Sequence, residues 1–199
     1  EIIHKEMLKS NFGDYKKQKQ IEKEIFDIIY KWIESRLQKI SKNRENEKSI
    51  SIKDDRFPHL NIYGKIDLLE FIDKDSIQVT DFKTGSVRKK NDIEKIDKEG
   101  RMSDYMRQLT MYSYLLRENS KYKRKIYQSR LEFIQAKNEK ENFYDTYINE
   151  EQIDLLIKDI IDYDNLLKNG TWVDRPCNFK SYGKQNVECE YCKMAKIYK

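Results

Sequence analysis

The sequence predicts a mixed α/β domain, a central sheet with helices laid on it. Three observations predict it. Apolar residues recur at three- and four-residue steps across 16–40. The period then drops to two across 49–83, where β-branched and aromatic residues collect. Beyond 101 helical spacing returns, alternating with one more strand. The scarcity of turn residues, 6 Gly and 2 Pro in 199 residues, argues against an all-β sandwich.

Each element follows from its own pattern. Ile2, Ile3, Met7 and Leu8 make 2–10 a short amphipathic helix, and 11–14 reads as a turn. Ile21, Ile25, Ile28, Ile29, Trp32, Ile33 and Leu37 form the apolar stripe of a long helix over 16–40, with a Lys/Glu outer face. The charged run 41–48 reads as a mobile connector. Strands are expected at 49–53 and 60–72, then, after the turn Asp73-Lys74-Asp75, at 76–83. The stretch 85–100 is polar and reads as irregular. A helix over 101–116, a strand over 125–135 and a helix over 150–167 complete the order α-α-β-β-β-α-β-α. The residues after 170 form a Cys-, Tyr- and Lys-rich tail on a single domain spanning 1–199.

Composition bounds the function. Lys+Arg is 40 and Asp+Glu is 35, so the surplus of +5 does not by itself name a nucleic-acid partner. Eight Phe, 14 Tyr and 2 Trp are enough aromatic bulk for a core. No apolar run approaches the roughly 20 residues that cross a bilayer, which excludes a membrane partner. No secretory pattern opens the chain, so the expected location is cytoplasmic. The sequence begins at Glu1 rather than Met, as a trimmed chain or a fragment would.

The informative region is the strand pair around Asp67 and Asp81. Side chains two apart share a strand face, so Val79, Asp81 and Lys83 point one way, and Thr80 and Phe82 the other. A tight turn between the two strands brings Asp67 alongside Asp81. Two close carboxylates repel, and a divalent cation with a preference for hard oxygen ligands, Mg²⁺ or Mn²⁺, supplies the compensation. Lys83 beside it orients or helps deprotonate a water and offsets the charge of a phosphate. The plain alternative is a surface salt bridge between Asp81 and Lys83.

The wording around these residues decides between the two. Gly64-Lys65-Ile66-Asp67, Val79-Thr80-Asp81-Phe82-Lys83-Thr84-Gly85 and Gln108-Leu109-Thr110-Met111-Tyr112 occur in order. Together with His4 they resemble the RecB-like branch of the PD-(D/E)xK nuclease superfamily, whose signature is a Gly-x-x-Asp strand, an Asp-x-Lys-Thr-Gly strand end and a helical Gln-x-x-x-Tyr. The nuclease domains of recombination helicase–nucleases, CRISPR-associated RecB-like exonucleases and phage recombination exonucleases are of this kind.

The resemblance implies a restriction-endonuclease-like core with a mixed sheet. It implies metal ligands at His4, Asp67, Asp81 and the backbone carbonyl of Phe82, with Lys83 as the catalytic lysine. Gln108 and Tyr112, four apart on one helical face, would border the active site. Glu6 and Glu70 are further carboxylates within sequence reach. The implied activity is an Mg²⁺- or Mn²⁺-dependent DNA exonuclease leaving 5′-phosphates, acting in recombination, repair or phage replication beside a recombinase or helicase. An endonuclease and a non-catalytic DNA-binding module are the alternatives. For DNA contacts, Arg88, Lys89, Lys90, Arg101, Arg107 and the cluster 121–125 offer positive charge, and Tyr105 or Phe82 offers a stacking surface. The loop 85–100 is expected to gate or thread a strand.

Cys177, Cys189 and Cys192 lie in the tail, the last two as a C-x-x-C. Several RecB-like nucleases hold a four-Cys iron–sulfur cluster, but the spacing here departs from theirs and no Cys precedes His4. Free reduced thiols are the favoured reading. A cluster completed by a residue before Glu1, or zinc with a fourth ligand such as His59, stays open.

Overall fold

A computed structural model describes residues 15–122, 126–136, 142–171 and 189–197. The elements run α1 (Tyr15–Arg36), a 3₁₀ turn (Leu37–Lys39), β1 (Arg44–Ile52), β2 (Ile62–Phe71), β3 (Ser76–Lys83), α2 (Lys90–Ile93), α3 (Asp104–Glu118), β4 (Ile126–Phe133), β5 (Phe143–Thr146), α4 (Glu150–Lys168) and α5 (Glu190–Ile197). The strands form one five-stranded sheet in the order β1-β2-β3-β4-β5. All neighbours are antiparallel except β3 and β4, which pair in parallel. A parallel pair needs a crossover connection, and α3 is that crossover. This is the α/β, restriction-endonuclease-like architecture expected, a mixed sheet flanked by helices. No helix of the described residues is long and apolar enough to cross a membrane.

Several expectations need correction, and two elements come in addition. The charged run 41–48 is not a connector throughout, because β1 starts at Arg44 and pairs with β2 through Glu70. An edge strand is held by main-chain hydrogen bonds along one side, so its outer side chains tolerate charge and the apolar signal appears at Ile50 and Ile52. The strand expected from 60 begins at Ile62. The stretch 85–100 is not irregular throughout. It contains α2, and an isolated bridge joins Ile96 to Met102. Ile93 is fully buried there, and the Ser103 hydroxyl donates to the Ile93 carbonyl. The four-residue β5 and the eight-residue α5 are too short to announce themselves by periodicity.

The two faces of the sheet differ. One carries the main core, in which Ile66, Leu69, Ile77, Val79, Leu131 and Phe133 pack against Leu109, Leu115 and Leu116 of α3 and Leu156 of α4. Ser103 caps α3 by accepting from the Met106 N–H at 3.1 Å. An Asn149–Gln152 capping box starts α4. On the other face the end of α1 is tied down by polar groups. Trp32 Nε1 donates to Glu132 at 2.6 Å, and Arg36 Nε lies 3.1 Å from the same carboxylate. Glu70 accepts from the Ser41 N–H at 2.8 Å, and its second oxygen lies 3.8 Å from Arg36. Glu70 is thus a buried partner of Arg36, away from the candidate site.

Gly64 of β2 faces Leu115 and Tyr112 of α3. A Cβ on it would lie 2.5 Å from Leu115 Cδ1, so any larger residue there forces that buried side chain to shift. Nearby the β1–β2 ladder is interrupted: between the Asn46–Leu68 and Lys48–Ile66 pairs, Glu47 takes φ 51°. Both Ile66 and Leu69 enter the same core, so the alternation of β2 changes phase across Asp67 and Leu68.

Candidate active site

The site forms where β3 ends. The β2–β3 ladder runs from Phe71–Ile77 to Leu68–Thr80, and the next opposed positions are Asp67 and Asp81. There the ladder opens, because Asp67 Oδ2 accepts the Phe82 N–H at 2.9 Å. Asp81 is 2% exposed, whereas Asp67 is half-buried. Phe82 turns its ring to the opposite face and meets Trp32 edge-on at 5.4 Å between centroids. Strand alternation alone therefore puts Asp81 and Lys83 on the α3 side, as the sequence predicts.

The crossover supplies the rest. α3 runs back over the sheet after β3, so its first turns stand above the strand end. Gln108 Nε2 donates to Asp81 Oδ1 at 2.7 Å, and Gln108 Oε1 accepts from Lys83 Nζ at 2.6 Å. The Tyr112 hydroxyl donates to Asp81 Oδ1 at 3.1 Å and accepts from Gln108 Nε2 at 2.8 Å. Lys83 Nζ closes the ring 2.7 Å from Asp81 Oδ2, an ion contact rather than an aligned hydrogen bond. Gln108 is the hub: its amide orients the carboxylate and the ammonium at once.

Burial pushes the Asp81 carboxyl above the usual carboxylate range, Lys83 and Tyr112 work against that rise, and the charge of Asp67 adds to it. Burial and the charge of Asp81 raise the Tyr112 hydroxyl well above its ordinary value, so it stays a hydrogen-bond donor at any working pH. No group of three or more His, Cys, Asp or Glu that could hold a metal occurs among the described residues. The donor set is instead two carboxylates on opposed strands, one of them buried with an oxygen that lacks an aligned donor. That arrangement fits a hard divalent cation, which would relieve the repulsion between them.

The other expected residues fall into three groups. His4, Glu6, Cys177 and the three positions 123–125 lie outside the described residues. Arg88, Lys89 and Lys90 are exposed just beyond the strand end. Arg101 pairs with Asp97 at 2.9 Å and Glu99 at 2.6 Å, Arg107 pairs with Asp104 at 2.5 Å, and Lys121 pairs with Glu45 at 2.7 Å. Their positive charge is partly spent within the protein, a consequence of 35 carboxylates sharing the surface. Cys189 and Cys192 are partly buried in and beside the first turn of α5, and the Cys192 N–H points at Cys189 Sγ, 3.4 Å away. His59 is bonded to Asp164, so its ring already has a partner.

A strand-end carboxylate pair, a lysine two residues on and a crossover helix reaching back to both define a nuclease of the α/β sheet class. The chain belongs to the PD-(D/E)XK nuclease superfamily, whose family profile matches residues 3–197. Members of that superfamily generally use Mg²⁺ or Mn²⁺. Among solved structures, a protein from Eubacterium rectale that is provisionally described as an exonuclease aligns over 89% of this chain with a TM-score of 0.48 and 13% identity. The chain spans 60% of the length of that protein. No curated protein matches.

Proposed function

We propose that the protein is a metal-dependent DNA exonuclease of the RecB-like branch, a single nuclease domain acting on DNA ends in recombination, repair or phage replication. The observation that carries the reading is the closed cluster of Asp81, Lys83, Gln108 and Tyr112 beside Asp67. Three side chains from two elements converge there on one buried carboxylate, more than a surface salt bridge needs.

The roles follow from the atoms. Asp67, Asp81 and the Phe82 carbonyl would hold the cation, with His4 as a further ligand. The cation would supply the Lewis acidity that makes a neutral-pH nucleophile from water and would offset the charge gathering on phosphorus. Gln108 and Tyr112 fix the Asp81 carboxylate by two donors on one oxygen, leaving the other oxygen turned toward Lys83. Lys83, anchored by Gln108, presents its ammonium to the phosphate and orients the attacking water. A recombinase or helicase working on the same strand belongs to this proposal.

Linear and closed circular DNA, each with Mg²⁺ or Mn²⁺, test it. Linear DNA should be degraded and circles spared, and Lys83→Ala should lower the rate by about 10²–10⁴-fold with the fold retained. Cleavage of closed circles would instead assign an endonuclease. Equal rates in wild type and Lys83→Ala would overturn the site.

A further inference from the structure

The contacts on Lys83 exceed those the proposed mechanism uses. Its carbonyl accepts the Ile134 N–H at 3.0 Å, which fixes the main chain at the end of β3. Its ammonium lies 2.6 Å from Gln108 Oε1 and 2.7 Å from Asp81 Oδ2. A further contact is aromatic: Nζ stands over the Tyr105 ring, 5.5 Å from the centroid. That distance is within reach of a cation–π attraction, which strengthens as water is removed, and the Lys83 side chain is only 23% exposed.

The ring is itself fixed. Tyr105 lies in the first turn of α3, where the Ser103 hydroxyl accepts the Met106 N–H at 3.1 Å and donates to the Ile93 carbonyl. Its ring meets Phe133 at 6.3 Å between centroids with the planes 62° apart, and Phe133 is 1% exposed. Phe133 is also the partner of Lys83 in the β3–β4 ladder, so one ring touches both members of that pair. Tyr105, Gln108 and Tyr112 stand at i, i+3 and i+7, a single stripe of α3. Tyr112 meets the carboxylate, Gln108 meets both charged groups, and Tyr105 meets the ammonium.

We infer that Tyr105 is a positioning residue for Lys83, its ring holding the ammonium where the phosphate and the attacking water need it. The inference rests on the nuclease reading and deepens it. A lysine ammonium is a point charge on a flexible four-carbon stem. One hydrogen bond to Gln108 leaves that stem free to swing, and Asp81 by itself would draw the charge onto its carboxylate. The ring attracts the ammonium from another side and carries no net charge. It therefore steadies Lys83 without neutralising it, as a second carboxylate would. The sequence offers Tyr105 as a stacking surface for a base, whereas in the fold its ring is engaged by the lysine.

Kinetics on linear DNA and lysine-selective NMR test it together. Tyr105→Leu should lower kcat about tenfold, with KM and DNA affinity in EDTA unchanged. Tyr105→Phe should keep the wild-type rate, because the ring and not the hydroxyl makes the contact. In a Lys83→Ala background, Tyr105→Leu should cost nothing further, since a group that acts through Lys83 has nothing left to act on. In metal-free protein carrying isotopically labelled lysine, the signal missing from Lys83→Ala should be shifted upfield by the ring current. It should stay there in Tyr105→Phe and move back in Tyr105→Leu. A Lys83 signal indifferent to Tyr105→Leu, equal loss of rate in Tyr105→Phe and Tyr105→Leu, or the same tenfold loss in the Lys83→Ala background would overturn the assignment. So would weaker DNA binding with kcat kept, which gives the ring to a base. Cleavage that depends on Lys83 but ignores Tyr105→Leu overturns the positioning role and leaves the nuclease. A ring-shifted Lys83 signal with no cleavage under Mg²⁺ or Mn²⁺ overturns the nuclease reading and leaves the contact.

Discussion

Asp54 shows how a single residue outside the site holds the fold that carries it. It sits in the turn after β1, with its side chain 5% exposed. Arg56 Nη2 lies 2.6 Å from Oδ2 and Arg56 Nε 2.9 Å from Oδ1, and the buried Tyr114 hydroxyl of α3 donates to Oδ2. The Arg56 guanidinium, with the Tyr114 hydroxyl helping, holds the carboxyl well below the usual range against the cost of burial. A carboxyl depressed in the folded state stabilises it above its unfolded pKa near 4, and that contribution is lost as pH falls below that value. We expect Asp54→Asn to cost about 1–2 kcal/mol at neutral pH and to flatten the acid limb of stability between about pH 4 and 2. Urea unfolding of both proteins across that range measures it. Parallel curves would show that Asp54 contributes no pH-linked stability. Gln108 teaches the complementary lesson. Its spacing from Tyr112 is visible in the sequence, but its task of bridging Asp81 and Lys83 depends on where the crossover lands.

At the scale of elements, the fit of α3 onto β2 is the controlling contact. Gly64 leaves room for Leu115, and α3 carries Tyr105, Gln108 and Tyr112 on the same rigid rod. A Gly64→Ala methyl would push on Leu115 at 2.5 Å. The expected cost is about 1–3 kcal/mol, since a well-packed core resists even one added methyl. Moving α3 also moves Gln108, so nuclease activity should fall more than tenfold. Leu115→Ala in the same chain should restore part of the activity by making space. Thermal melts and DNA hydrolysis of the single and double variants check this, and a Gly64→Ala protein as stable and active as wild type would sink it. In the sequence, Gly64 is simply the first residue of the Gly-x-x-Asp string. The tertiary contact supplies its reason.

At the scale of the whole molecule, the sheet is covered by two different kinds of contact. α3 and α4 bury apolar groups on one face, while the C-terminal end of α1 is fastened to the other by Trp32 and Arg36. Arg36 is 6% exposed and stands between Glu132 at 1% and Glu70 at 3%. Arg36→Ala would leave two buried carboxylates without their guanidinium, at an expected cost of about 3–5 kcal/mol. Arg36→Ala with Glu132→Gln should recover part of it, because one uncompensated charge is removed. Chemical unfolding of the three proteins decides, and no recovery in the double variant would refute the pairing. None of this network was legible in sequence, because Trp32 and Glu132 stand 100 positions apart and ordinary salt-bridge residues carry no periodicity. Shortness hid β5 and α5, and the charge of an edge strand hid the first half of β1. By itself the sequence determined the mixed α/β class, the carboxylates at Asp67 and Asp81, the lysine two residues on and the Gln108–Tyr112 face. Local periodicity and a signature within three short strings specify those. Only the tertiary structure decided that Gln108 joins Asp81 to Lys83, that Glu70 belongs to the opposite face, and that Tyr105 stands between Lys83 and Phe133. Each of those depends on how a crossover helix and a loop pack against a sheet, a contact between residues that no local pattern links.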